Sequence, residues 1–243
     1  SHAASAFYPS NLKESAILTI DGVGEWCTAS ICMGKDKKIE IIKELHFPHS
    51  VGLLYSAFTY YLGFRVNSGE YKLMGLAPYG IENCEETKSF VKKIKNTIVD
   101  IKKDGSIFLN QKYFKYTYGL KMINNKKFKQ LFGLSVRKEE EHLSQSHCNL
   151  ALAIQKVTEE IVIKMVKETK RLTSSKNLCL SGGVALNCVA NGKIEELKLF
   201  ENIYIQPAAG DAGGSLGAAF AINHMYFDVQ RNYSKEYDLM KGS

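Results

Sequence analysis

Ala16-Ile17-Leu18-Thr19-Ile20-Asp21-Gly22-Val23-Gly24-Glu25 reads as a strand that ends on an acid and breaks into a glycine turn. The short apolar run suits a strand covered on both faces, and the glycines free the backbone to bend around something close. Trp26 to Met33 and Ile39 to Leu45 read as two further strands, joined across Gly34-Lys35-Asp36, residues that suit a hairpin loop. The chain is therefore expected to open on three antiparallel strands with Asp21 at the end of the first.

Helices alternate with strands after that. Ser50 reads as the cap of a helix through Leu62, because Val51, Leu54, Tyr55, Phe58, Tyr61 and Leu62 recur at helical spacing and Gly63 follows as terminator. Its aromatic face is expected to be core rather than a cofactor surface. From Ser144, Leu150, Ile154, Val157, Ile161, Met165 and Leu172 repeat every three or four positions, which predicts one helix of roughly 30 residues. Asn177 to Leu180 predicts a short buried strand, and Ser181-Gly182-Gly183-Val184-Ala185-Leu186-Asn187 turns from it into a helix ending near Leu197. Asn202 to Ile205 predicts a last strand, stopped by Pro207, before Gly210-Asp211-Ala212-Gly213-Gly214-Ser215-Leu216-Gly217 opens a helix with Asp211 where an N-cap belongs. Three antiparallel strands followed by alternating helices and strands is the pattern of a ribonuclease-H-like half-domain, an α/β fold with a mixed sheet flanked by helices.

Between these blocks the pattern is weaker. Asn67 to Gly80 is richer in glycine and mixed charge than a packed helix tolerates and is expected to frame a site or a tight loop. Ile81 to Glu141 holds a charged helix near Glu85 to Lys95 and strand-like pieces at Thr97 to Ile101 and Ser106 to Leu109. The net charge of +7 is concentrated there, with fourteen Lys and Arg against eight Asp and Glu. These lysines are scattered, so the segment reads as a wet basic insertion and nucleic acid is not the expected partner. Hydrophobic content of 45% is ordinary for a globular domain with a sizeable core, no apolar run is long enough to span a bilayer, and the first residues lack a signal-peptide pattern. A cytoplasmic protein is expected. The six cysteines form no C-x-x-C pair, so neither zinc nor disulfides are called for.

Three glycine-bearing turns, after Ile20, Leu180 and Ile205, each follow a strand, and in an α/β sheet ligands collect beyond the carboxyl ends of strands. Asp21 and Asp211, brought together there, would repel unless a cation lay between them. His2 could add an imidazole, and a mixed His/Asp set suits an iron- or manganese-like ion better than structural zinc. Gly213, Gly214 and Gly217 leave the following helix open to close approach by another backbone or a phosphate. His49, just before a helix, is a candidate general base, a cap or a packing residue.

Five stretches, Ser1 to Tyr8, Leu18 to Trp26, Phe47-Pro48-His49-Ser50 through Tyr79-Gly80, Ser181 to Asn187, and Gly210 to Ala219, closely resemble the NodU/CmcH/TobZ-type O-carbamoyltransferases. The resemblance covers residues 1 to 80 and about 145 to 243, with the motifs in family order. It implies a core similar in fold to actin, sugar kinases and Hsp70 (ASKHA), and close to the TsaD-type threonylcarbamoyl transferases. Residues 1–15 would then end a first half-domain and carry the remnant of a metal motif. Residues 16–226 would be the second half-domain, with the insertion at 81–141, and 227–243 a linker toward a YrdC-like domain.

By the same resemblance a nucleotide-bound divalent metal, Fe or Mn, lies between two half-domains. His2 matches the second histidine of an H-x-x-x-H motif, whose first would precede Ser1, and Asp21 and Asp211 match the acids. Gly22, Val23, Gly24 and Glu25 would offer backbone N–H groups to phosphates, Gly182, Gly183 and Asn187 would hold nucleotide, and Glu70 and Lys72 would lie near ribose or phosphate. For the last pair a surface ion pair is the competing reading. The implied reaction passes carbamoyl from carbamoyladenylate, made from carbamoyl phosphate and ATP, to a hydroxyl of a small natural product or sugar. A tRNA acceptor, or a half-domain that binds nucleotide without catalysis, is the alternative, and the assembly is left open to a homodimer.

Overall fold

A computed structural model describes residues 1–233 of the chain. In chain order the elements are α1 (His2–Phe7), β1 (Glu14–Ile20), β2 (Cys27–Lys35), β3 (Lys38–His46), α2 (Val51–Tyr61), α3 (Glu70–Leu76), α4 (Glu85–Lys93), β4 (Val99–Ile101), β5 (Ile107–Leu109), α5 (Asn125–Phe132), α6 (Gln145–Thr173), β6 (Asn177–Ser181), α7 (Cys188–Glu196), β7 (Asn202–Ile205) and α8 (Gly214–Ala221). The main sheet has the order β3-β2-β1-β6-β7, antiparallel across β3, β2 and β1 and parallel across β1, β6 and β7. This is the mixed α/β sheet that the strand pattern predicted.

β1 is buried at every position from Ser15 to Ile20, because both faces of the sheet are covered. On one face Ala16, Leu18 and Ile20 join Leu54 and Phe58 of α2 and Ile154 and Ile161 of α6 in the main core. On the other, Ile17, Cys32 and Cys179 pack with Ala6 and Phe7 of α1, and Phe220 of α8 lies against them. α6 runs 29 residues, about 44 Å at 1.5 Å per residue. Ser144 begins it with a capping box in which His147 stands at the third helical position.

Two expectations are corrected. The stretch from Asn67 to Gly80 is not an open loop: α3 occupies its middle, with Leu73 and Leu76 buried, and a 3-10 turn over Ala77–Tyr79 closes it. Segment 81–141 is not merely a wet insertion either. Its Phe90, Phe114, Phe128 and Phe132 enter the main core; Phe128 and Phe132 meet Phe58 and Tyr61 of α2 ring to ring, and Phe114 and Phe90 pack in turn against Phe128 and Phe132. The lysines lie outside that aromatic interior. The linker expected at 227–243 falls partly outside the described residues, at 234–243; residues 227–233 return to the first helix and the β2–β3 turn, where Lys37 pairs with Asp228.

On the β3 edge, Lys43 Nζ bridges Asp104 Oδ2 at 2.6 Å and Glu168 Oε1 at 3.0 Å, and Arg171 clamps Glu168 from the other side. Burial raises the Asp104 carboxyl, but the Lys43 and Ser106 hydrogen bonds outweigh it and bring its pKa to about 2. The Arg171 bond, with help from Lys43, likewise lowers Glu168 to about 2. Both folded pKa values are depressed, so the stabilisation is present above the unfolded carboxylate range, near 4, and is lost as pH falls from there through about 2. Lys43→Met is expected to shrink this acid-labile contribution. Urea midpoints of variant and wild type, compared from pH 6 to 2.5, check it: the two curves should converge toward low pH.

Candidate functional site

Because β1, β6 and β7 are parallel, their carboxyl ends lie on one edge of the sheet. The turns after them carry Asp21, Gly182-Gly183 and the Gln206-to-Gly213 run. α1 lies across the sheet face beside α8 and delivers His2 to the same edge. Ser5 Oγ on α1 meets Ser181 Oγ at 3.2 Å, and the Gln206 side-chain amide donates to the Ser5 carbonyl.

His2 Nε2 lies 3.1 Å from Asp21 Oδ2 and 3.8 Å from Asp211 Oδ1. One ligating atom from each of the three lies within 4.8 Å of the others, the single such His/Cys/Asp/Glu group among the described residues. Asp21 is largely enclosed, with a side chain 15% exposed, whereas Asp211 is 97% exposed and free to turn toward a ligand. Asp21 is held on its other oxygen by the Gly183 N–H at 2.8 Å. Burial pushes the Asp21 carboxyl up, yet the hydrogen bonds from His2 and Gly183 prevail and hold it below its ordinary value. Asp21 therefore stands ionised at neutral pH, as a hard oxygen donor. His2 Nδ1 is buried with no hydrogen-bond partner among the described residues, so it is the Nε2 side of the ring that is anchored. The 3.1 Å separation of His2 and Asp21 matches adjacent ligands of one cation with metal–ligand distances of about 2.1 Å, the exposed Asp211 would have to turn inward to complete the set, and the N/O donors fit a divalent iron- or manganese-type ion.

The backbone under Asp21 is tightly seated. The single Ser50 hydroxyl proton is shared between the Gly22 carbonyl at 2.5 Å and the Asp21 carbonyl at 3.0 Å, and Ser50 Oγ accepts the Leu53 N–H at 3.0 Å. A Cβ at Gly52 would lie 2.6 Å from the Asp21 carbonyl oxygen, so the first turn of α2 must be bare there. Neither Ser50 beyond its cap role nor Gly52 was singled out from the sequence. The signal for Gly52 was a glycine inside a strongly apolar first turn, where helix propensity argues against one.

Other predicted residues fall into different roles. Asp211 is not a helix cap: Gly213 stands at the N-cap of α8, preceded by a 3-10 turn over Asp211–Gly213, and neither start has a side-chain cap bond. This leaves the Asp211 carboxylate uncommitted to backbone. Gly24 donates its N–H to the Cys27 carbonyl at 3.0 Å, while Gly22, Val23 and Glu25 line an exposed or half-exposed turn. Gly183 spends its N–H on Asp21. Asn187 caps α7 through the Ala190 N–H and exchanges hydrogen bonds of 3.1 Å with Gln155, which also accepts the Tyr55 hydroxyl at 2.8 Å. Its side chain is thus tied into a buried network. Glu70 makes no ion pair with Lys72; its carboxylate accepts from Ser56 Oγ and from the Asn67 and Gly69 N–H groups, while Lys72 is exposed. His49 sits apart from the metal group. Its Nδ1 accepts the Leu109 N–H at 3.1 Å, its ring lies 4.2 Å from Phe108, and burial lowers its pKa. That is a packing and backbone-pairing role.

A Cβ at Gly217 would stand 2.2 Å from the Ser1 carbonyl oxygen and 2.9 Å from the Ser5 nitrogen. α8 is bare at this point so that α1 can cross it closely. Gly217→Ala is expected to push α1 off α8, at a cost of about 1–3 kcal/mol for overpacking. It should draw His2 from the aspartates and weaken Mn²⁺ binding about tenfold while far-UV circular dichroism stays unchanged. Titration of the full-length variant with Mn²⁺ checks it.

A family model described as Carbamoyltransferase N-terminus matches residues 1–220. An uncharacterized protein of Synechocystis sp. is 52% identical over 243 residues, all of this chain and 38% of that protein. Nodulation protein NolNO of Sinorhizobium fredii is 33% identical, covering 92% of this chain and 30% of its own length. Nodulation protein NolO of Bradyrhizobium diazoefficiens is 31% identical, covering 91% and 37% respectively. The chain spans about a third of the length of these curated relatives.

Proposed function

This chain belongs to the Carbamoyltransferase N-terminus family, and we propose that in the whole protein it forms one wall of the cleft where carbamoyl passes from carbamoyladenylate to a hydroxyl of a small acceptor such as a sugar. The observation that supports this most is the convergence of His2, Asp21 and Asp211 at the carboxyl edge of the parallel strands. On this reading carbamoyl phosphate and ATP supply the carbamoyladenylate elsewhere in the protein.

His2, Asp21 and Asp211 would hold the divalent metal, which when bound supplies positive charge to phosphate oxygens. Asp21 is the fixed member, oriented by Gly183 and by the seat that Ser50 and Gly52 provide for its backbone. Asp211 is the mobile member and adjusts to what binds. The turn from Gly22 to Glu25 faces the same edge and offers the N–H groups of Val23 and Glu25 to phosphate, since that of Gly24 is already used. Gly183 acts on the nucleotide through Asp21 rather than by direct contact. The group holds no serine or cysteine, and its imidazole and carboxylates would be engaged by the metal, which favours direct attack by the acceptor hydroxyl: its oxygen bonds to the carbamoyl carbon, the bond from that carbon to the adenylate phosphate oxygen breaks, and the proton leaves to solvent or to the released phosphate.

The test uses full-length protein. Pyrophosphate release that depends on carbamoyl phosphate, followed by transfer of labelled carbamoyl to a sugar hydroxyl, is the expected result. Failure to form carbamoyladenylate with metal bound would sink the reading. Tight tRNA binding with a steep salt dependence would instead move the acceptor to tRNA.

A further inference from the structure

Arg231 makes an unusual set of contacts for a residue remote in sequence from the site. Its Nη1 donates to the carbonyls of Leu12 and Asp36, both at 3.0 Å, and its Nη2 to those of Phe7 at 3.0 Å and Tyr8 at 3.1 Å. The guanidinium lies 4.2 Å from the Phe7 ring centroid, 5.4 Å from that of Tyr8 and 4.9 Å from that of Tyr233. One planar cation thus gathers four carbonyls from three chain segments. Lysine has no geometry to match it.

The carbonyls of Phe7 and Tyr8 are the last of α1 and the first of the 3-10 turn that follows it. A helix C-terminus leaves such carbonyls without intrahelical partners and carries partial negative charge; the Ser10 hydroxyl donates to the Phe7 carbonyl at 2.7 Å, and the cation adds a second donor there, the bond to Tyr8 and the opposing charge. α1 has only six residues, too few to hold its shape alone. Its N-terminal end carries His2 and is fixed by the close crossing at Gly217; its C-terminal end is fixed by Arg231. Arg231 also belongs to the chain that leaves α8, through the turn over Ile222–Tyr226 in which His224 lies 4.7 Å from the Tyr8 ring. The piece of chain that begins with Asp211 therefore returns, through α8, to grip the helix that bears His2.

We propose that Arg231 is a positioning residue that locks α1 in place and thereby sets the separation of His2 from Asp21 and Asp211. This rests on the reading of those three residues as a metal group. Release of the clamp frees the C-terminal end of α1, so that the six-residue helix slides and rotates on α8 and carries His2 out of ligand distance, though Arg231 touches none of the three side chains.

The test is Mn²⁺ titration of metal-stripped full-length protein, read by electron paramagnetic resonance of free Mn²⁺, for wild type, Arg231→Ala, Arg231→Lys, Lys37→Ala and Asp21→Ala. Arg231→Ala is expected to bind Mn²⁺ at least tenfold more weakly, millimolar methylguanidinium to recover most of that loss, and Arg231→Lys to recover little. Lys37→Ala removes the neighbouring Lys37–Asp228 ion pair and should bind as wild type does. Wild-type affinity in Arg231→Ala, or equal weakening in Lys37→Ala, overturns the proposal. If Arg231→Ala does not fold, Arg231→Lys decides alone, and wild-type affinity there overturns it. Unchanged binding in Asp21→Ala would instead sink the metal reading itself, which keeps the two failures apart.

Discussion

Asp21→Ala in the full-length protein is expected to abolish metal retention and to lower carbamoyl transfer by on the order of 10²–10³-fold or more, the scale seen when a preorganised electrostatic partner is removed. Three consequences follow from one side chain. His2 loses its 3.1 Å partner, the Gly183 N–H loses its 2.8 Å acceptor, and the group loses its only enclosed carboxylate. The fold should survive. β1 is paired on both sides, and an unsatisfied Gly183 N–H costs about 1–3 kcal/mol. Asp21→Asn separates the contributions, because the amide oxygen can still accept from Gly183 while the negative charge is gone. Metal content by elemental analysis, with the thermal midpoint as control, checks both variants. If Asp21→Asn retained metal at wild-type stoichiometry, the carboxylate would be a structural acceptor for Gly183 and no more. Asp211→Ala is expected to weaken metal binding with no change in the thermal midpoint, since its carboxylate supports no backbone bond.

The parts of this architecture that were legible in the sequence are those where one physical signal dominates. β1 shows a short apolar run between turn residues, β2 and β3 flank the turn residues of a hairpin, and α6 keeps its apolar positions in helical register for its whole length. α3 was hidden because Gly69 and Gly75 argue against a helix, while the bonds that begin it come from the Glu70 carboxylate folding back on the Asn67 and Gly69 N–H groups. α5 was hidden because only Phe128 and Phe132 are buried, and their partners lie on α2, distant in sequence. At the site, residue types and their places after strands pointed Asp21 and Asp211 at one edge, and the family resemblance added His2. They could not say which groups were already engaged. Asn187 and Gly183 looked free to hold nucleotide, but their commitments, to Gln155 and to Asp21, are tertiary. Asp211 looked committed as a cap, and the intervening 3-10 turn frees it.

Gly182→Ala is expected to cost the fold more than any substitution of an ionisable residue at the site. Gly182 has φ of +89°, a region that strains an L side chain. A Cβ there would also stand 2.3 Å from the Ile20 carbonyl oxygen and 2.6 Å from its carbon. Neither neighbour can yield. Ile20 is the last residue of the central strand, and the Gly182 N–H is bonded to the Ala209 carbonyl at 2.7 Å, so the turn is pinned between β1 and the segment after β7. Backbone strain of about 1–3 kcal/mol adds to about 1–3 kcal/mol of overpacking. At roughly 2–4 °C per kcal/mol for a domain of this size, the thermal midpoint should fall by about 5–20 °C. Gly217→Ala offers the contrast: its added methyl meets the short helix α1 rather than the central strand and adds no backbone strain, so it should lower the midpoint less than Gly182→Ala does and weaken the metal. Hydrogen exchange of the β1 and β6 amides, together with the midpoint, distinguishes them. Gly182→Ala should accelerate exchange across both strands; protection as strong as in wild type would mean that the turn can relax to φ below zero, and that its glycine serves close approach by a ligand instead of the junction of the two strands.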